Sequence, residues 1–288
     1  MKYLNMISLI KYLTAFTFIV FSSASSVLAV DNLGMPKDFQ IGFQNAATSN
    51  MQDIVWFHNW FLFPIITAIT LFVMFLLIYI IFRFNSKKNP VASRTTHNTL
   101  IEVIWTVLPI LILAIMVVPS FRILYTQQTI PQNADMTIKA TGHQWYWGYE
   151  YPDHSDIAFD SLPLEGDELT DDKIRLLSVD NPLVVPANAV IRVQVTSGDV
   201  IHNWALPSFG IKTDAVPGRL NETWFKVEEP GTYYGQCSEL CGIRHAFMPI
   251  EIRVLAEEDF NIWLQKAKIE FTDLGYTIPQ SKEYAELN

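Results

Sequence analysis

Apolar and polar residues are distributed very unevenly along this chain, and the pattern changes character near residue 130. The first apolar stretch runs from Tyr12 to Phe21, behind Lys2 and Lys11, and gives way to small residues ending in Val27-Leu28-Ala29. A basic start, a short apolar run and a small-residue end predict a cleaved secretory signal over residues 1–29; a retained third membrane helix is the alternative. Residues 30–53 are polar and read as an extracytoplasmic lead segment. A long apolar run over 54–82 follows, longer than the roughly 20 residues needed to cross a bilayer. Trp56, Phe57, Trp60 and Phe61 crowd its first end, where an aromatic belt belongs. His58 lies among them and reads as a polar residue at headgroup level, with a functional role as the alternative. Residues 83–98 carry Arg83, Lys87, Lys88 and Arg94 and no acid, which marks a cytoplasmic loop. A second apolar run, 99–125, returns across the membrane. The two helices therefore form a hairpin with both ends outside, and a secretory signal demands the same orientation.

Beyond residue 130 the period drops to two. Met136 to Thr141 alternates, and so does Val190 to Thr196, where Ile191, Val193 and Val195 are expected inside and Arg192, Gln194 and Thr196 outside. Asp180-Asn181-Pro182, Ser197-Gly198-Asp199, Pro217-Gly218 and Glu229-Pro230-Gly231 punctuate the runs as turns. Short strands at this spacing predict an all-β sandwich or barrel over 130–255. Residues 256–288 begin with Glu257-Glu258-Asp259 and place Phe260, Trp263 and Leu264 at helical spacing, so a short amphipathic helix and a tail are expected.

Charge adds one constraint. The net charge is −9, and residues 130–255 alone hold eighteen acidic and nine basic side chains. An acidic extracytoplasmic domain repels nucleic acid and favours a basic protein partner, although solubility alone also accounts for such a surface.

The chemistry concentrates in Gly235-Gln236-Cys237-Ser238-Glu239-Leu240-Cys241-Gly242-Ile243-Arg244-His245-Ala246-Phe247-Met248-Pro249. This stretch contains both cysteines of the chain. Two cysteines in an oxidising compartment read equally well as a disulfide. His245, Met248 and a distant His202 shift the reading to metal, because thiolate, imidazole and thioether form a soft ligand set suited to copper. Zinc also takes Cys and His, but not Met. One Cys, one His and one Met describe a mononuclear copper loop; a second thiolate four residues away would allow two bridged metals. His202 follows a strand and a turn, close to Asp199, and a metal-bound histidine commonly has a supporting carboxylate. Gly142 to Tyr151 packs five aromatics into seven residues, Trp145 to Tyr151, as a buried layer or an exposed docking surface. Glu102, near the cytoplasmic end of the second span, is a functional carboxylate or one paired at the headgroups. Pro109 and Pro119 imply packing against other helices.

Taken together, the copper loop, Gly142 to Tyr151, Asp199 to Trp204 and Lys212-Thr213-Asp214-Ala215-Val216-Pro217-Gly218-Arg219 resemble subunit II of the haem-copper cytochrome c oxidases. The resemblance covers about Gly42 to Leu255. It implies a cupredoxin-like barrel on a two-helix membrane hairpin, holding a dinuclear copper centre called CuA. Cys237 and Cys241 would bridge two copper ions, each terminated by His202 or His245, with Met248 and the Glu239 carbonyl as weak axial ligands. The Glu239 side chain would reach a magnesium ion shared with subunit I. Trp145 would receive the electron from cytochrome c, docked on Glu150, Asp153, Asp156 and Asp199. Glu102 would stand at the cytoplasmic mouth of a proton path in subunit I. Subunit III and membrane lipid are the further partners implied, and an intact signal peptide favours a bacterial inner membrane over an organelle's. Three other readings have discriminating features. A nitrous-oxide reductase domain lacks the hairpin, a quinol-oxidase subunit II lacks the cysteine ligands, and a membrane-anchored copper carrier or chaperone would bind one copper or release it.

Overall fold

A computed structural model describes residues 34–154, 157–171 and 173–272. The expected signal segment, Asp156 and the end of the tail lie outside them. The first membrane helix, α1, spans Ser49–Arg83. It starts before the apolar run because Thr48 caps it: the hydroxyl accepts the Met51 N–H at 3.1 Å and donates to the Phe209 carbonyl at 2.7 Å. Its turn His58–Leu62 is π-helical, and His58 is hydrogen-bonded to the Asn59 side chain at 2.9 Å. The second membrane helix, α2, spans Thr99–Gln128 and runs through Pro109 and Pro119. Large apolar side chains are exposed along both helices. Helices apolar all round are stable where lipid and other helices, not water, surround them.

Beyond α2 the described residues form ten strands: β1 (Met136–His143), β2 (Tyr146–Tyr151), β3 (Ile157–Ser161), β4 (Leu183–Pro186), β5 (Val190–Ser197), β6 (His202–Leu206), β7 (Ile211–Ala215), β8 (Asn221–Lys226), β9 (Gly231–Cys237) and β10 (Pro249–Leu255). They pair into two five-stranded sheets, ordered β3-β2-β1-β5-β8 and β4-β10-β9-β6-β7. The β1–β5 and β4–β10 pairs are parallel and the others antiparallel. The expected alternation holds in β5, where Ile191, Val193 and Val195 are fully buried. These residues pack with Ile138, Ala140, Trp147, Trp204, Phe225 and Ile252 in one core between the sheets. Removing such branched and aromatic surface from water is the main force holding the sandwich together. β6 is buried at every position, so its first residue, His202, is held rigidly.

Of the five clustered aromatics, Tyr146, Trp147, Tyr149 and Tyr151 are buried and only Trp145 is half-exposed. The Tyr151 hydroxyl donates to the Val184 carbonyl and accepts the Val184 N–H, both at 2.9 Å, tying β2 to β4 across the sandwich. The helix α3 (Glu257–Thr272) has its acids in the first turn, where the helix dipole favours them. It buries Phe260, Leu264 and Ala267, and Trp263 packs on Tyr151 with ring centres 5.5 Å apart. Polar contacts join the hairpin to the sandwich. The Ala47 N–H donates to the Ser208 carbonyl at 2.8 Å, the Gln127 amide to the Gly210 carbonyl at 2.9 Å, and the Trp224 indole to the Thr126 carbonyl at 3.0 Å.

Candidate metal centre

The centre forms at one end of the sandwich because two strands of the second sheet deliver its parts side by side. β6 begins with His202, β9 ends with Cys237, and their pairing sets Trp204 opposite Cys237. The loop from Ser238 to Met248 then folds back on these strand ends. The Cys237 N–H donates to the Met248 carbonyl at 3.3 Å and the Ser238 N–H to the Asn203 carbonyl at 3.1 Å. Gly242 permits the return: its φ is +123°, and a side-chain carbon there would come within 2.9 Å of the Trp145 ring.

Cys237 Sγ and Cys241 Sγ stand 3.9 Å apart. A disulfide requires about 2.05 Å, so these are two separate thiols. His202 Nδ1 lies 3.9 Å from Cys237 Sγ, and the Glu239 carbonyl oxygen 3.3 Å from it. His245 Nδ1 and Met248 Sδ each lie 3.5 Å from Cys241 Sγ. The donor atoms of His202, Cys237 and Cys241 fall within 4.8 Å of one another. His202, Cys237, Cys241 and Met248 are buried and His245 is half-buried. Two thiol sulfurs, two ring nitrogens, a thioether and a carbonyl, converging on one shielded spot, fit copper in their chemistry.

The electrostatics of the cluster are coupled. Burial pushes the Cys237 thiol up, but hydrogen bonding with His202 and the backbone outweighs it and brings the group below its ordinary value. Burial and the neighbouring Cys237 both push Cys241 up, since two thiolates this close repel. Burial alone would discharge His202; Asp199 and Cys237 together hold its pKa above the ordinary value. Asp199 is the hub on this side. Its Oδ1 contacts His202 Nε2 at 2.8 Å and its Oδ2 accepts the Gln144 N–H at 2.7 Å. These bonds outweigh the effect of burial and hold the Asp199 carboxyl below the usual range.

The remaining residues singled out by sequence are dispersed. The Trp145 indole N–H donates to the Cys241 carbonyl at 3.2 Å, so this ring touches the loop that carries the candidate donors. Glu150 is ion-paired with Lys139 at 2.7 Å, and Asp153 accepts the Thr137 N–H at 2.7 Å. Glu102 sits in the first turn of α2, where it accepts the Asn98 N–H at 3.3 Å while Asn98 accepts the Ile101 N–H at 3.2 Å, a reciprocal cap. The Glu239 side chain is exposed. Sequence reasoning passed over Gln144, whose amide donates to the Cys241 carbonyl at 2.7 Å beside Trp145. It also passed over Gly142, where an added carbon would lie 2.8 Å from the His202 ring. Neither residue has a ligand's chemistry, and no periodicity marks either one.

Two family models match the chain. The one described as "Cytochrome C oxidase subunit II, periplasmic domain" matches residues 136–255, and the corresponding transmembrane domain matches residues 36–123. The chain belongs to the cytochrome c oxidase subunit II family. A probable cytochrome c oxidase subunit 2 of Rickettsia bellii is 55% identical over 229 residues, covering 80% of this chain and 84% of that one. Cytochrome c oxidase subunit 2 of Cereibacter sphaeroides is 42% identical over 276 residues, 90% of each chain. Among solved structures, the periplasmic domain of subunit II from Bradyrhizobium japonicum aligns along its whole length to 50% of this chain, at 59% identity and a TM-score of 0.47. As a cytochrome c oxidase subunit II, the chain is a membrane protein and one subunit of a cytochrome c oxidase. The separate thiols set aside the disulfide reading, and membership of the family sets aside the readings outside the oxidases.

Proposed function

We propose that this subunit takes electrons one at a time from cytochrome c and hands them to haem in subunit I. The observation that carries the reading is the pair of unbonded, buried thiols, one beside each of two imidazoles. A copper pair sharing one charge between the metals would supply fast, reversible one-electron chemistry there. Cys237 and Cys241 would hold both ions, His202 and His245 one each, with Met248 and the Glu239 carbonyl as weak ligands. The chain's own contribution is rigidity and orientation. β6 and β9 fix two of the donors, and Asp199 holds the His202 ring by Nε2 so that Nδ1 faces the thiols. The sandwich keeps water away from the donors.

In this reading Trp145 receives the electron, since it is half-exposed and bonded to the carbonyl of a ligand. Glu150, Asp153, Asp156 and Asp199 would steer a basic cytochrome c, with an association rate that falls as salt rises. The Glu239 carboxylate would share a magnesium ion with subunit I, and Glu102 would face the mouth of a proton path there. Oxygen reduction and proton pumping belong to subunit I, with subunit III as a further partner. The membrane is a bacterial inner membrane and the copper domain lies on its periplasmic side.

Electron paramagnetic resonance with a metal count on the copper-loaded full chain tests the reading. Two coppers sharing one unpaired electron give seven hyperfine lines; one copper with four lines rejects it. Trp145→Phe should retain its copper and slow cytochrome c oxidation on the order of 10²-fold, because a positioned path is lost. An unchanged rate would place electron arrival elsewhere. Asp199→Ala should weaken copper retention roughly 10-fold to 100-fold, as loss of a ligand's supporting partner does. If retention is unchanged and only the salt dependence of cytochrome c oxidation moves, Asp199 serves docking alone.

A further inference from the structure

A groove of about 500 Å³ lies between the membrane helices near the sandwich, lined by Asp53 and Trp56 of α1 and Val118, Pro119, Arg122 and Ile123 of α2. It takes no part in the copper site. Four of its six residues are apolar, and the other two carry opposite charges. Neither Arg122 nor Asp53 has an ion-pair partner among the described residues. Arg122 is one turn below Thr126, where α2 meets the sandwich through Trp224. Asp53 lies one turn into α1, just before the apolar run begins. Both charges therefore sit at the level of the outer headgroups, and Trp56, 57% exposed beside them, is an aromatic of the membrane interface.

We infer that this groove binds one phospholipid whose headgroup carries both a phosphate and a primary ammonium, as in phosphatidylethanolamine. The Arg122 guanidinium offers forked N–H donors to the phosphate. The Asp53 carboxylate accepts from the ammonium. Val118, Pro119, Ile123 and the Trp56 ring supply an apolar wall for an acyl chain. A concave, mostly apolar site with a few oriented polar groups is how small ligands are held. A purely anionic lipid would satisfy Arg122 and leave Asp53 without a countercharge. A choline headgroup has no N–H to give Asp53.

Lipid is favoured over a protein neighbour by the direction of the helix. At about 100° per residue, the chain from Glu102 to Arg122 turns roughly 200° beyond whole turns, so the two side chains leave α2 on nearly opposite faces. This step rests on the proposed reading that Glu102 faces subunit I. Arg122 then faces away from that subunit.

The test is made on the assembled oxidase purified in mild detergent, by lipid extraction and mass spectrometry. Arg122→Gln is expected to lose about one phosphatidylethanolamine per complex. Asp53→Asn is expected to keep its phosphate lipid but shift it several-fold from phosphatidylethanolamine towards phosphatidylglycerol. If a variant fails to assemble, the unmodified oxidase is stripped and offered deuterated phosphatidylethanolamine, phosphatidylcholine and phosphatidylglycerol together; preferential retention of the first supports the site. Equal retention of all three, unchanged lipid in both variants, or a cross-link from Arg122→Cys to another polypeptide overturns it. Glu102→Cys is cross-linked in parallel. Failure to reach subunit I faults the Glu102 reading alone, and a fault in the lipid inference appears only in the lipid.

Discussion

Cys241→Ser is expected to abolish the dinuclear signal and cut electron transfer from cytochrome c to background. Cys241 Sγ stands at the middle of the donor set, 3.9 Å from Cys237 Sγ and 3.5 Å from both His245 Nδ1 and Met248 Sδ. A serine oxygen is smaller, harder and not ionised at neutral pH, so it cannot stand in for a bridging thiolate. The fold should survive, because the substitution removes little volume from a loop closed by the bonds of Ser238 and Cys237 to Asn203 and Met248. The measurement is a copper count with a paramagnetic spectrum, together with a thermal unfolding scan. Two coppers and seven lines in a folded Cys241→Ser protein would refute the ligand set.

Gly235→Ala is expected to destabilise the whole sandwich, and copper binding with it. A carbon added at Gly235 would sit 2.0 Å from the Ala205 carbonyl oxygen and 3.0 Å from its carbon. The obstacle is backbone in a fully buried strand, so no side-chain rotation relieves it. Either β9 separates from β6 or both strands shift. These strands carry Cys237 and His202, so a shift that relieves the clash pulls the ligands apart. Overpacking against a yielding core costs about 1–3 kcal/mol, and a rigid obstacle puts Gly235→Ala at the upper end or beyond. The melting temperature should fall on the order of 10 °C. Gly42→Ala, with nothing within 4 Å of the new carbon, is the silent control. An unchanged melting temperature in Gly235→Ala would show that the strands have slack at this contact.

Much of this architecture is written locally. Continuous apolar runs select membrane helices because no water-soluble element needs so long a stretch without charge, and period-two alternation at Val190 to Thr196 selects a strand covered on one face. Helix starts were less legible. Apolar residues begin at Ile54, whereas α1 begins at Ser49, because Thr48 finds a partner in Phe209 far along the chain. The aromatic cluster was ambiguous for a similar reason. Composition cannot say which of five neighbouring rings face inward, and the β2 pairings buried four and left Trp145 half-exposed.

The site divides along the same line. By itself the sequence determined which residues have the chemistry of copper ligands, because Cys237, Cys241, His245 and Met248 share one loop and their soft donors need no geometry to be recognised. It offered His202, thirty-five residues before Cys237, only as a distant candidate; tertiary structure decided that its Nδ1 lies 3.9 Å from Cys237 Sγ, that the two sulfurs stay unbonded at 3.9 Å, and that Asp199 and Gln144 direct their polar groups to His202 and the Cys241 carbonyl. Spacing along a chain reports only what neighbours can do. Which distant strand lies alongside is settled by register and by the burial of the faces between the sheets.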